Sequence, residues 1–406
     1  MTDERSRSGL ASVVFPVPTE PMTSALLRDV YITGCGAFLP GEPVGVGTME
    51  DHIGRIGGRS SAVGRRALRW NGVETRHYAM APDGTVLHSN ASMAAQAVRA
   101  ALDDAGLSVG DLNHLATATT QGDYLVPGHA SAVHAELGAL CPGMGPIEIA
   151  SYQSVCASAL MAMKGAWLQV RAGEANVAVT TGSEFSSRWF RPEFYEGTAL
   201  VDAKGRARME ADFLRFTLSD GAGAVVLEPR PRPDGLSLKV DWIDLTSLAH
   251  AFDPCMWAGS TFADRADMKS AWSHVGPTAS HASGAIALLQ DFDLLKIVIR
   301  AWIGVWMKKV DDGRIVPDAV DHLLCHYSAK SLREEIVSIL RSTKAMIPED
   351  KWFSNLATVG NVGSASIWVM LDEFMKSGRA KRGEKVLLIV PESGRAMVGF
   401  MMLEVV

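Results

Sequence analysis

The stretch IEIASYQSVCASALMAMKGAWLQVRAG, residues 147–173, reads as an apolar strand, a sharp turn and a helix of small and apolar residues closed by Gly173. A second stretch, GNVGSASIWVMLDEFMKSG at residues 360–378, opens a matching helix: Cys156 to Gly173 and Asn361 to Gly378 are both 17 positions. Each helix is followed by an apolar strand (176–181; 385–390) and then by another (222–228; 398–405). Upstream, Asn113-His114-Leu115 is matched by Asp321-His322-Leu323, with His114 lying 42 positions before Cys156 and His322 lying 39 before Asn361. Helical periodicity at 92–105 and 292–308 precedes these two strands. The chain reads as one α/β unit written twice, with a parallel-leaning sheet in each copy.

The repeat predicts a flexible N-terminal extension over residues 1–26, a first half over 27–230 carrying an insertion at 184–219, and a second half over 236–406. The segment PRPRPDG, residues 229–235, marks the junction. With 47% hydrophobic and 21% charged residues, the 406-residue chain has the balance of a folded protein, and its 38 glycines suit helices packed tightly on sheets. A net charge of −6 creates no general field for nucleic acid, so an anionic partner needs a local basic patch. The apolar run at 294–307 is interrupted by Lys296 and Arg300 and is too short to span a membrane. The N-terminus has mixed charge and no apolar core of a signal peptide, so a cytoplasmic protein is expected. Five cysteines, an odd number without any CxxC pair, indicate neither a disulfide framework nor a zinc site.

Three residues stand where chemistry is expected. Cys156 follows a strand and sits at the first turn of a helix, where unpaired N–H groups and the positive dipole end favour a thiolate. His326 ends a short apolar strand, a position where α/β proteins place functional groups. Asn361 lies between a strand and a helix, and its bland role there is an N-cap.

In the order Cys156, His326, Asn361 the chain resembles the β-ketoacyl-acyl-carrier-protein synthase III branch of the thiolase superfamily. The resemblance spans residues 28–406 and rests on VYITGCGAFLP at 30–40, NGVETRH at 71–77, the Cys156 turn, LSDGAGAVVL at 218–227 and GNVGSASI at 360–367. It implies a thiolase-like α/β fold of two pseudo-symmetric βαβαβαββ halves in an α/β/α/β/α core. It also implies a homodimer that condenses acyl thioesters through a cysteine-bound acyl-enzyme. Cys156, His326 and Asn361 would be catalytic, and the oxyanion would be held by the backbone N–H of Cys156 and of Gly394 or Arg395. No metal or permanently bound cofactor is implied; acyl-CoA or the phosphopantetheine of an acyl carrier protein enters as substrate.

The sequence departs from the family in ways that narrow the expectation. The usual C-terminal glycine run is PESGRAMVG at 391–399, and the segment after the histidine is HYSAK at 326–330. This resembles condensing enzymes of specialised metabolism, polyketide-like or fatty-acid-derived, more than the housekeeping initiator. Val126 before Pro127 stands where a larger residue often limits the acyl tunnel, which predicts a medium or long acyl chain. Arg69 and Trp70 are candidate substrate-binding residues beside the arginine-rich segment 55–69, and Lys330 and Arg333 are candidates for carrier-protein docking. Two alternatives remain at this stage: an acyltransferase that delivers the acyl group to a hydroxyl or amine, and a non-catalytic partner subunit.

Overall fold

Ten strands form the backbone of the structure, a computed structural model that describes residues 27–343 and 345–406. The extension expected at 1–26 lies outside the described residues. In chain order the strands are β1 (Tyr31–Phe38), β2 (His114–Thr119), β3 (Glu148–Gln153), β4 (Ala178–Glu184), β5 (Gly221–Glu228), β6 (Leu238–Ser247), β7 (His322–Cys325), β8 (Trp352–Phe353), β9 (Lys385–Glu392) and β10 (Met397–Val405). Across the sheet they run β3-β2-β4-β5-β1 and, from the opposite edge, β8-β7-β9-β10-β6. The second order is the first repeated. β2 is parallel to β3 and β4, as β7 is to β8 and β9, while β5 and β10 run antiparallel to their neighbours. Within the sheet the two five-stranded parts are joined where Tyr31 and Ile32 pair with Lys239 and Leu238.

The principal helices are α1 (Ala62–Asn71), α2 (Asn90–Ala105), α3 (His129–Leu140), α4 (Ser158–Ala172), α5 (Met209–Arg215), α6 (Phe292–Asp311), α7 (Lys330–Thr343) and α8 (Ser366–Lys376). Local chemistry sets their ends. Ser89 accepts the Ser92 N–H to cap α2, Gly106 closes that helix in the left-handed conformation, and Asp291 accepts the N–H groups of Asp293 and Leu294 to start α6. α2 and α3 cover the outer face of the first part, and α6 and α7 cover that of the second. α4 and α8 lie between the parts in one shared core, with Leu160 and Met163 packed among Ile367, Trp368 and strand residues of both halves.

α8 is buried continuously from Ser366 to Asp372, the pattern of a helix enclosed on all sides. Its approach to β5 requires a glycine: a Cβ at Gly223 would lie 2.6 Å from Trp368 Cβ and 2.8 Å from Val369 N. The segment between β4 and β5 carries α5. A second elaboration, between β6 and α6, contains a small hairpin pairing Met256–Trp257 with Leu289–Gln290 and packs on that segment through Leu200, Trp257 and Leu289. Gly223→Ala is expected to destabilise the fold by about 1–3 kcal/mol, because the obstructing atoms are backbone and Cβ. A thermal unfolding midpoint equal to that of the parent chain would contradict the close packing.

Candidate active site

Cys156 lies in a turn, two residues before α4 begins, rather than in the first helical turn. It is 7% exposed. Against the thiolate expected at a helix start, burial pushes the Cys156 thiol well up, and the carboxylates of Glu392 and Glu184 push it further. The reason lies in the partners of the turn. Glu392, at the end of β9, accepts the Ala157 N–H at 2.9 Å and the Ser154 hydroxyl at 2.6 Å, so the helix start already faces an acidic side chain.

His326 directly follows β7, and its backbone N–H extends the ladder to Ile389 O at 2.9 Å. The ring is 3% exposed, its Nε2 has no partner among the described residues, and burial lowers its pKa to about 4. Asn361 is bonded to the other glycine-rich motif: its carbonyl accepts the Ser219 N–H at 2.8 Å, and Leu218 and Asn361 form a parallel bridge. The side chain does cap the next turn, with Oδ1 accepting the Gly363 N–H at 2.9 Å. That commitment orients the amide and leaves Nδ2 to donate.

The hairpin turn between β9 and β10 reaches the same place. A Cβ at Gly394 would lie 2.8 Å from Val155 Cγ2 and 3.0 Å from Glu392 Oε1, so only glycine permits this contact with the residue before Cys156. Of the two candidate oxyanion residues, Arg395 turns its side chain to the Phe252 carbonyl at 2.8 Å, and the cavity wall at this point is formed by Ser393. The backbone N–H groups of Cys156 and Gly394 make no hydrogen bond among the described residues.

Cys156, His326 and Asn361 share the wall of one cavity of about 1110 Å³. Its apolar lining comes largely from the two elaborations and α6, including Phe185, Phe213, Trp257, Leu288, Leu295 and Trp302. Trp70 lines it too, with the Arg66 guanidinium 4.2 Å from the ring centre, whereas Arg69 is exposed on α1 outside the lining. Val126 is 82% exposed and does not line this chain's own cavity. Lys330 starts α7 beside Gly72 and is exposed. Arg333 is instead engaged with Glu349 at 2.8 Å and lies over the Trp352 ring, which removes it from the exposed basic group.

Two acidic residues of the site escaped the sequence reading. Glu392 stands in the loop that was read only for backbone N–H groups. Glu184 ends β4, lines the cavity and accepts from the N–H and hydroxyl of both Thr120 and Ser364. Burial nevertheless raises its pKa to about 7, against the opposing pull of those hydrogen bonds. The signal available in the sequence was a carboxylate at the C-terminal end of a parallel strand.

The sign of the histidine shift gives a direct test. With a folded pKa near 4 against an ordinary value near 6.5, folding favours neutral His326, and its contribution to stability is lost as pH falls from about 6.5 through 4. NMR of histidine-labelled protein should show the His326 ring neutral at pH 6. A titration midpoint near 6.5 would contradict its desolvated environment.

Residues 311–402 match the family model for the 3-oxoacyl-[acyl-carrier-protein] synthase III C terminal, and residues 143–232 match that for the β-ketoacyl synthase N-terminal domain. A curated relative, β-ketoacyl-[acyl-carrier-protein] synthase III of Rhodospirillum rubrum, is 26% identical over 358 residues, covering 88% of this chain and 94% of the relative. Among solved structures, the tetronic acid condensing enzyme AbyA1 superimposes with a TM-score of 0.70 at 21% identity, covering 92% of this chain and 99% of its own. The Aquifex aeolicus 3-oxoacyl-[acyl-carrier-protein] synthase III does so with a TM-score of 0.66 at 21% identity over 92% and 99% of the two chains. A Xanthomonas campestris OleA variant gives 0.70 at 18% identity over 93% and 99%. The two family matches fall in the two halves of the chain, the five-strand order is repeated and a curated relative aligns over most of both sequences, so the chain is similar in sequence and fold to β-ketoacyl-acyl-carrier-protein synthase III enzymes.

Proposed function

We propose that this enzyme joins two acyl thioesters by Claisen condensation, carrying the first on Cys156, in the biosynthesis of a polyketide or fatty-acid-derived natural product. The observation that carries this reading is the meeting of Cys156, His326 and Asn361, from three loops remote in sequence, on one cavity wall. In the first step the Cys156 sulfur attacks the thioester carbonyl and the carbon–sulfur bond to the carrier breaks. The thiol proton leaves on the carrier sulfur. The N–H groups of Cys156 and Gly394 serve the oxyanion. In the second step an extender thioester loses carbon dioxide or an α-proton, and His326 and Asn361 Nδ2 donate to the enolate oxygen. The enolate carbon then attacks the acyl carbon, forming the new carbon–carbon bond and breaking the carbon–sulfur bond to Cys156, whose sulfur takes up the α-proton or, after decarboxylation, one from water. A neutral imidazole suits this donor role.

The cavity lies above the ~300–1,000 Å³ usual for small-molecule pockets, which supports a medium or long acyl group. Arg65, Arg66, Arg69 and Lys330, all exposed around Trp70, form the local basic patch for a coenzyme A or carrier-protein phosphopantetheine phosphate. Tyr124, Leu125 and Val126 are exposed beside the edge strand β3, a surface suited to a second copy of the chain in a homodimer. No helix among the described residues is long and apolar enough to cross a membrane, in keeping with substrates on soluble cytoplasmic carriers. One observation favours a second reading: Glu184, poised near neutrality on the cavity wall, is the kind of base that acyl transfer to a hydroxyl acceptor would need.

Intact-mass measurement after incubation with acyl-CoA and acyl-carrier-protein panels, followed by malonyl thioesters, tests the proposal. The expected adduct forms with medium and long chains, is absent in Cys156→Ala, and is released as a longer β-keto product. His326→Ala and Asn361→Ala should still acylate but lose condensation by about 10²–10³-fold. Strict acetyl specificity would sink the long-chain assignment, and release onto an alcohol would favour the second reading.

A further inference from the structure

Glu392 is the last residue of β9 and is 3% exposed. Its neighbours Pro391 and Ser393 line the cavity, while Glu392 itself turns behind the wall into the turn that carries Cys156. Ala157, the N-cap residue of α4, has no side-chain cap of its own. Glu392 supplies one from the other half of the molecule, bonding one residue on each side of the nucleophile, Ser154 through its hydroxyl and Ala157 through its N–H. The carboxylate therefore occupies the positive end of α4 that a thiolate would otherwise use.

We propose that Glu392 is a positioning residue that clamps the Cys156 turn to the end of β9 and keeps Cys156 a neutral thiol at rest. This rests on the reading of Cys156 as the acyl-accepting nucleophile. It also gives that step a balanced charge. As the sulfur–acyl bond forms and the acyl–carrier bond breaks, the Cys156 proton goes to the departing carrier sulfur, so the net charge beside Glu392 is the same before and after. A thiolate at rest would instead place a second anion against a buried carboxylate. The other charged or titratable groups around the nucleophile fit this arrangement. Glu184 at the end of β4 is a second acid, burial favours the neutral form of His326 after β7, and Asp123 and Arg188 farther along the cavity pair with each other at 3.3 Å. The direction of the Cys156 shift, with Glu392 the largest cause after burial, agrees with the geometry.

The test is the pH dependence of Cys156 alkylation by iodoacetamide, quantified at that peptide so that the other cysteines do not contribute. In the parent chain the midpoint is expected above the ~8.5 of an unperturbed thiol. Glu392→Gln, which keeps the shape and loses the charge, should lower it by about one unit or more, making the thiolate roughly tenfold more abundant at any pH below the midpoint. Ser154→Ala, which loses one hydrogen bond and keeps the charge, should retain the high midpoint. A role as a purely mechanical strap predicts no shift in Glu392→Gln, and that result overturns the proposal. A parent midpoint at or below ~8.5 also overturns it, even if the variant fails to fold. Because alkylation needs no acyl substrate, a chain that never acylates but shows the expected shift would defeat the condensation reading and leave the role of Glu392 standing.

Discussion

Two helices that share the central core, α4 and α8, are the constraint around which the molecule is arranged. Each packs against strands of both halves, so neither half has a complete core alone. The packing distance is set by backbone: Gly223 of β5 admits Trp368 of α8, and the corresponding strand β10 places Gly399 against Leu160 of α4. The segments preceding both helices consequently arrive near the middle of the molecule. That is where Cys156 and Asn361 meet, although 205 positions separate them in the chain. Pseudo-symmetry here builds a site as well as a core.

The chemistry of that site follows from how little water reaches it. Burial raises the Cys156 thiol and the Glu184 carboxyl and lowers His326, so the uncharged form of each is favoured relative to its ordinary state. A desolvated site of this kind suits reactions in which hydrogen-bond donors await a developing oxyanion or enolate. The Asn361 amide, oriented by the Gly363 N–H that its Oδ1 accepts, keeps its Nδ2 available as a donor.

Much of this was legible in the residues. The equal spacing from Cys156 to Gly173 and from Asn361 to Gly378 exposed the repeat, and the strand order obeys it. Ser89 and Gly106, which flank the helical periodicity at 92–105, were visible as helix ends because capping is chemistry within a few residues. The state of Cys156 was not visible. Its helix-start position argued for a thiolate, but burial opposes one, and so does Glu392, which lies 235 residues from the Ala157 N–H that it accepts. The engagement of Arg333 with Glu349 was likewise hidden, since an unpaired arginine and an engaged one look alike in sequence.

Periodicity, caps and the two glycine-rich motifs carried the doubled α/β plan and the three residues with catalytic potential, because each depends on short-range geometry or on a pattern repeated along the chain. The volume and walls of the cavity, the desolvation of its sulfur and imidazole, and the bonds of Glu392 to the Cys156 turn arise from contacts between remote segments. Such contacts depend on which groups are desolvated together, a property that no single stretch of the chain possesses.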